Sequence, residues 1–255
     1  MVKPTITRWL LLCCIACLLP LSAQADLPDN IARIKPSIVV IATFKRLGTI
    51  PLALRGTGFA IGNGQFVATN AHVVRDVSEA DEELLVLMPG LPAPRRLEFK
   101  IVAVSKEYDL AILRINTPLP PLKLATGTAR EGQEIFFTGF PIVGALGPFP
   151  ATNRGIISAL TPNAMPGGNS GQLNAAAIRQ LRNGPYSVYQ LDATAYPGNS
   201  GSPVFDAESA EVIGIINSVL VKGSKETALT QPSGISYAIP VKYLGELLSS
   251  VTKEH

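Results

Sequence analysis

Cysteine is nearly absent from this chain. Its three cysteines, Cys13, Cys14 and Cys17, all fall close to the start of the 255-residue sequence. From Asp26 onward there is none, so that part makes no disulfide and offers no thiol nucleophile. Histidine is almost as scarce, with only His72 and the terminal His255. One internal imidazole without thiolates cannot make up a zinc ligand set, and neither a metal nor any other cofactor is expected. Charged residues are sparse at 16%, and the net charge of +3 includes Lys3 and Arg8 near the start. No basic stripe with interleaved aromatics is present, which argues against a nucleic-acid partner. The run from Trp9 to Leu21 is too short to cross a bilayer comfortably.

That run reads instead as part of a targeting segment. Lys3 and Arg8 form a positive start, and Ala23-Gln24-Ala25 fits the small-x-small pattern of a cleavage site. Residues 1–25 are therefore read as a signal peptide. The mature chain, 26–255, is expected in the periplasm or secreted, with no membrane span. A retained anchor and a lipid-attached form beginning at Cys17 are the alternatives. An exported domain without cysteine takes its stability from its core alone.

What is plentiful is turn chemistry between β-branched runs. With 21 prolines and 22 glycines in a chain that is 47% hydrophobic, an all-β globular architecture is favoured. Ser37 to Phe44 reads as a buried strand. Gly56 to Ile61 and Gln65 to Thr69 form a hairpin about Gly62-Asn63-Gly64. Further strands are expected at Leu84 to Met88, Phe99 to Val104, Leu110 to Ile115, Glu134 to Gly139, Arg154 to Leu160, Tyr186 to Thr194, Val212 to Asn217 and Ile235 to Ile239. Asp26 to Lys35 is a helical lead-in, and Asn70 to Val74 a short helical turn. After Pro240, Leu244, Leu247, Leu248 and Val251 recur at helical spacing and predict a terminal helix packed on the body. Leu47 to Arg55 reads as a loop. Pro162 to Gly184 is a long insertion with a helix-capable piece, Leu173 to Leu181. The proline-rich Thr117 to Pro121 is the best candidate for a linker between two halves.

One stretch carries chemistry: Tyr196-Pro197-Gly198-Asn199-Ser200-Gly201-Ser202-Pro203. A serine between two glycines, at the end of a strand, is how a nucleophile is presented on a tight turn. Such a turn can aim the N–H groups of Gly198 and Ser200 at a developing oxyanion. The bland alternative is a Gly/Asn/Ser loop tip. A serine hydroxyl is a poor nucleophile unaided, and a general base with a near-neutral pKa must stand beside it. His72 is the realistic supplier. The base in turn needs a carboxylate to set its tautomer. Asp109, directly before the apolar run Leu110-Ala111-Ile112-Leu113, suits that part better than its competitors. Asp76 reads as a local partner of Arg75, and Asp81, Glu82 and Glu83 as a solvated face. Asp192 is expected to shape the site. Gly168-Asn169-Ser170-Gly171 repeats the core tetrapeptide, but no strand leads into it, and Ser170 is read as a loop copy.

In this order, His72, Asp109, Ser200, the chain resembles the chymotrypsin-fold serine proteases of the HtrA (DegP-like) branch. The matching stretches are Gly56-Thr57-Gly58-Phe59, Thr69-Asn70-Ala71-His72-Val73-Val74, Tyr108-Asp109-Leu110-Ala111-Ile112-Leu113 and Gly155-Ile156-Ile157-Ser158. Asp192-Ala193, Pro197-Gly198-Asn199-Ser200-Gly201, Val212-Ile213-Gly214-Ile215 and Ser236-Tyr237-Ala238-Ile239-Pro240 continue the series in family order. The resemblance implies two six-stranded antiparallel β-barrels, about 37–116 and 134–240, joined by a linker of about 117–133 and followed by a helix at 241–252. His72 and Asp109 would come from the first barrel and Ser200 from the second, with exposed or misfolded polypeptides as substrates. It also implies a primary pocket lined by Thr194, Ala195, Asn217, Ser218, Val219, Gly234 and Ile235. None of these carries a charge, which points to small or medium aliphatic side chains. The edge near Asn217 would pair with an extended substrate backbone. The PDZ domains usual in this branch have no counterpart in the sequence, and Asp26 to Lys35 holds no aromatic residue for the family's trimer packing, so the oligomeric state is left open. A catalytically silent peptide binder or holdase is the rival function. An α/β-hydrolase esterase would place its histidine last, and this chain does not.

Overall fold

The protein is described by a computed structural model covering residues 26–45, 52–75, 82–90, 93–141, 149–163, 186–217 and 234–253. It opens with helix α1 (Leu27–Ile34), which Asp26 caps by accepting the Leu27 N–H. Ile34 turns inward and is buried. A 3-10 turn at Lys35–Ser37 leads into β1 (Ile38–Lys45). The β-branched run of β1 is buried over its first six residues, because β1 lies between two partners. These are β2 (Leu52–Ile61) and β4 (Glu82–Met88). β3 (Phe66–Asn70) follows β2 through a turn in which Gly62 and Gly64 both adopt positive φ. The segment after β4 adds β5 (Arg95–Leu97), β6 (Phe99–Ser105) and β7 (Leu110–Ile115). The first half is thus one antiparallel sheet in the order β5-β4-β1-β2-β3-β7-β6.

The second half is a closed six-stranded barrel. Its strands are β8 (Glu134–Gly139), β9 (Ala151–Pro162), β10 (Ser187–Asp192), β11 (Pro203–Asp206), β12 (Val212–Ile216) and β13 (Ile235–Pro240). They close in the order β10-β13-β12-β11-β8-β9. The connecting stretch is pinned to this barrel: the Val212 N–H donates to the Lys123 carbonyl at 2.8 Å, and the Ala125 N–H to the Val212 carbonyl at 2.9 Å. The terminal helix α3 (Val241–Lys253) buries Leu244 and Val251 on the face its spacing predicts.

One hydrophobic cluster is shared by both halves. It joins Ile38, Phe59 and Ile112 to Phe136, Phe205, Ile239 and Leu244. Phe136 and Phe205, partners across β8 and β11, stack with centroids 4.8 Å apart. Truncating either to alanine is expected to cost about 3–5 kcal/mol.

The fold class is the expected all-β one, and the second half is the expected six-stranded barrel, whereas the first half is a curled seven-stranded sheet where a six-stranded barrel was expected. The first sheet gains β5, a three-residue edge strand of two exposed arginines and one buried leucine, Leu97, too short to show alternation. β2 begins at Leu52 inside the predicted loop, because Leu52 to Leu54 pair with Phe44 to Ala42. β9 runs longer than predicted because it pairs with β8 and β10 in turn. The helix-capable piece at 173–181 lies outside the described residues.

Candidate active site

His72 is the second residue of α2 (Ala71–Val74), which starts directly after β3. A four-residue helix holds itself poorly, and outside bonds supply the fixing. At its start, the Ala71 N–H donates to the Asp109 carbonyl at 3.0 Å, and Asn70 Nδ2 to the same oxygen at 3.1 Å. At its end, the Arg55 guanidinium takes up carbonyls that a helix terminus leaves open. Arg55 Nε reaches Val73 O at 2.9 Å, and Nη2 reaches Arg75 O at 2.7 Å and His72 O at 3.3 Å.

Asp109 stands just before β7 in the left-handed region, φ 51°. Aspartate tolerates that conformation better than most residues. Its carboxylate grips His72 twice. Oδ2 lies 2.5 Å from His72 Nδ1, and Oδ1 accepts the His72 main-chain N–H at 2.9 Å. Asn217, directly after β12, donates its Nδ2 to Asp109 Oδ2 at 2.9 Å. Arg75 Nη2 lies 3.6 Å from Oδ1. An ionised carboxylate only accepts, so it selects the imidazole tautomer with its proton on Nδ1. Nε2 then carries the lone pair.

Ser200 occupies the turn between β10 and β11 and is 3% exposed. Gly198 and Gly201 both have positive φ, at 101° and 84°. A Cβ on Gly198 would run into the Phe140 carbonyl, and one on Gly201 into the Thr57 carbonyl. Local bonds shape the turn: Asn199 N–H to Tyr196 O, Ser202 N–H to Asn199 O and Gly201 N–H to Ile216 O, each 2.9 Å. β2 closes over it from the first sheet. The Thr57 N–H donates to Ser200 O at 2.8 Å, and Thr57 Oγ1 to Gly198 O at 2.8 Å. A Cβ on Gly56 would stand 2.7 Å from Ser200 O and 2.8 Å from Val73 Cγ2. Val73 is the neighbour of His72, so a missing side chain at Gly56 lets the serine turn and the histidine helix come together.

Of the predicted pocket residues, Thr194 and Ala195 are half-buried between β10 and the serine turn, while Gly234 and Ile235 lie exposed at the start of β13. Ser236 Oγ donates to Ala193 O at 2.7 Å and ties these two walls. Asn217 is 2% exposed, with its side chain committed to Asp109. Asp192 is exposed at the end of β10, in register with Ile156 and Ile235. Ser218, Val219, Asp76, Asp81 and the second serine, Ser170, lie outside the described residues. Arg55 carries no sequence signal, since it stands at the end of a stretch that reads as a loop and is part of β2 in the structure. The Asn217 to Asp109 bond joins residues 108 positions apart and has no local signal.

Three tyrosines pack behind Asp109. The ring of Tyr108 stacks on Tyr243 of α3 at 4.2 Å, and Tyr186 meets them edge-on at 5.1 and 5.4 Å. Burial pushes the Tyr186 hydroxyl up to about 12. Among the described residues, no cluster of three or more His, Cys, Asp or Glu could hold a metal, and no helix is long and apolar enough to cross a membrane.

Residues 56–215 match the trypsin-like peptidase domain family. A probable periplasmic serine endoprotease, DegP-like, of Brucella suis biovar 1 (strain 1330) is 31% identical over 209 residues, which is 78% of this chain and 33% of that relative. The chain thus spans a third of that relative's length. Among solved structures, an HtrA-type protease, AlgW with tripeptide, superposes with a TM-score of 0.61 at 26% identity, covering 89% of this chain and 64% of that one. The serine endoprotease from Yersinia pestis gives 0.60 at 25%, covering 90% and 67%.

Proposed function

The chain belongs to the trypsin-like peptidase family, in its HtrA-type branch, and from that premise we propose that it is a serine endopeptidase acting through Ser200, His72 and Asp109. Ser200 Oγ attacks the scissile carbonyl carbon while His72 Nε2 takes the hydroxyl proton. The carbonyl electron pair moves onto oxygen and is received by the N–H groups of Gly198 and Ser200. The intermediate collapses, the C–N bond breaks, and His72 returns the proton to the leaving amine. Water then repeats the sequence on the acyl-enzyme and frees Ser200. Asp109 stays ionised throughout and stabilises the imidazolium.

The observation that carries this reading is the double grip of Asp109 on His72, through ring and main chain at once. A surface ion pair has no reason to fix both. The substrates are exposed or misfolded polypeptides, with small or medium aliphatic side chains in an uncharged pocket formed by Thr194, Ala195, Asn217, Ser218, Val219, Gly234 and Ile235. The working location is the periplasm or the exterior, after cleavage near Ala25. The test is fluorophosphonate labelling of the chain from Asp26, beside Ser200→Ala and Ser170→Ala. Labelling lost in Ser200→Ala and kept in Ser170→Ala is the expected result. An unlabelled wild type would favour a peptide holder that retains the protease fold. Lysine or arginine favoured in cleavage-site profiling would sink the pocket assignment.

A further inference from the structure

We propose that Thr57 is a positioning residue for the oxyanion donors, setting the Gly198–Asn199 peptide from the opposite half of the molecule. The proposal rests on the serine-protease reading above. That peptide is the plane between the two donors: the Gly198 N–H precedes it by one Cα and the Ser200 N–H follows it by one. Its carbonyl accepts from Thr57 Oγ1 at 2.8 Å. Its N–H, that of Asn199, donates to Tyr196 O at 2.9 Å, a bond local to the turn. The hold from outside is therefore the threonine hydroxyl.

Every polar group of Thr57 is engaged, and three of its four bonds here reach the second half. Its N–H donates to Ser200 O at 2.8 Å, and its hydroxyl donates to Gly198 O while accepting the Phe140 N–H at 3.1 Å. Its carbonyl accepts from Thr69 Oγ1 at 2.8 Å, which fixes the residue within its own sheet. Thr57 is fully buried, so these bonds face no competition from water. The turn's own side chains do not share the task. Asn199 and Ser202 are fully buried, yet Asn199 Nδ2 and Oδ1 and Ser202 Oγ have no hydrogen-bond partner among the described residues. The glycines flanking Thr57 let β2 approach this closely, since a Cβ at Gly56 would press on Ser200 O. The donors are consequently in place only when the two halves are docked through Thr57.

The test compares Thr57→Val, which keeps the shape and removes the hydroxyl, with Thr57→Ser, which keeps the hydroxyl. Thr138→Val serves as the control for merely structural damage, because it removes a buried hydroxyl whose partner is Thr152 Oγ1, outside the turn. Losing one oxyanion donor outright costs about 10²–10³ in kcat, and a donor left displaced should cost about 10–100-fold. Thr57→Val is expected to lose that factor in kcat with KM within about twofold, and to react with a fluorophosphonate more slowly by the same factor. Thr57→Ser should recover wild-type kcat to within about threefold, and Thr138→Val should keep it while melting earlier. If Thr57→Val does not fold, Thr57→Cys carries the comparison: its weak S–H donor should give an intermediate kcat. Unchanged kcat in the Thr57 valine or cysteine variant, equal loss in Thr138→Val, or failure of serine to rescue would overturn the proposal. A wild type that neither cleaves nor labels would overturn the protease reading instead, and this proposal with it.

Discussion

On the histidine side of the site the fixing is done by side chains, and on the serine side by backbone and empty space. His72 is held by the Asp109 carboxylate, which Asn217 and Arg75 approach in turn, while Arg55 closes the end of its helix. Ser200 is held by carbonyls pointed at Thr57 and by glycines whose neighbours leave no room for a Cβ. The first arrangement can be altered one charge at a time with its geometry intact. The second has no such gradation, because adding one carbon displaces the backbone itself. The electrostatics of the proposed triad and the shape of its oxyanion turn should therefore fail separately, and by different amounts.

The sharpest break is Gly198→Ala. The residue sits at φ 101°, and its new methyl group would meet the Phe140 carbonyl and, at 2.6 Å, Leu54 Cδ2. The turn must move to admit it, and a left-handed alanine adds about 1–2 kcal/mol of strain. Fluorophosphonate labelling is expected to vanish, and the melting temperature to fall by several degrees, at about 2–4 °C per kcal/mol for a chain of this size. Normal labelling would mean that the turn yields and that its glycines matter less than the packing suggests. Asp109→Asn tests the other side. The amide keeps the shape but can present its N–H to Nδ1, which selects the wrong tautomer. A loss of about 10⁴ in kcat is expected, with labelling slowed but measurable and the fold retained. A loss below about tenfold would show that Asp109 serves the fold more than the chemistry.

The same contrast governs what could be read from residues alone. Local signals were legible: the β-branched run of β1, the Gly62-Asn63-Gly64 hairpin, the leucine stripe of α3 and the glycines about Ser200 all act within a few residues. The structure brings His72 and Asp109, 37 positions apart, into contact. Each is marked in the sequence by its immediate surroundings, a strand before one and an apolar run after the other. Arg55 and the side chain of Asn217 had no such surroundings. Their importance comes from carbonyls and a carboxylate that the chain supplies from 17 to 20 and 108 positions away. Edge strands such as β5 are equally silent, because a strand paired on one side over three residues needs no alternation.

The smallest effect expected lies behind Asp109, where support is neither charge nor carbonyl but aromatic packing. Tyr186 meets Tyr108 and Tyr243 edge-on, and burial raises its hydroxyl to about 12, above the value near 10 of an exposed tyrosine. Between those values the unfolded chain has released the proton and the folded chain still holds it. The folded state then binds more protons than the unfolded one, so stability falls as pH rises. The contribution is fully present below pH 10 and is lost as pH climbs through about 12. Burial raises Tyr108 and Tyr189 in the same direction, and they keep their share of the decline. Tyr186→Phe should therefore make the drop in urea midpoint between pH 9 and pH 11.5 shallower without abolishing it. Activity near neutral pH should stay within about twofold, since neither Asp109 Oδ1 nor Oδ2 bonds to this ring. Equal slopes in wild type and variant would place the Tyr186 hydroxyl in water. A large loss of activity would mean that the tyrosine cluster holds the Asp109 backbone in its left-handed conformation, and that the histidine side, too, depends on shape.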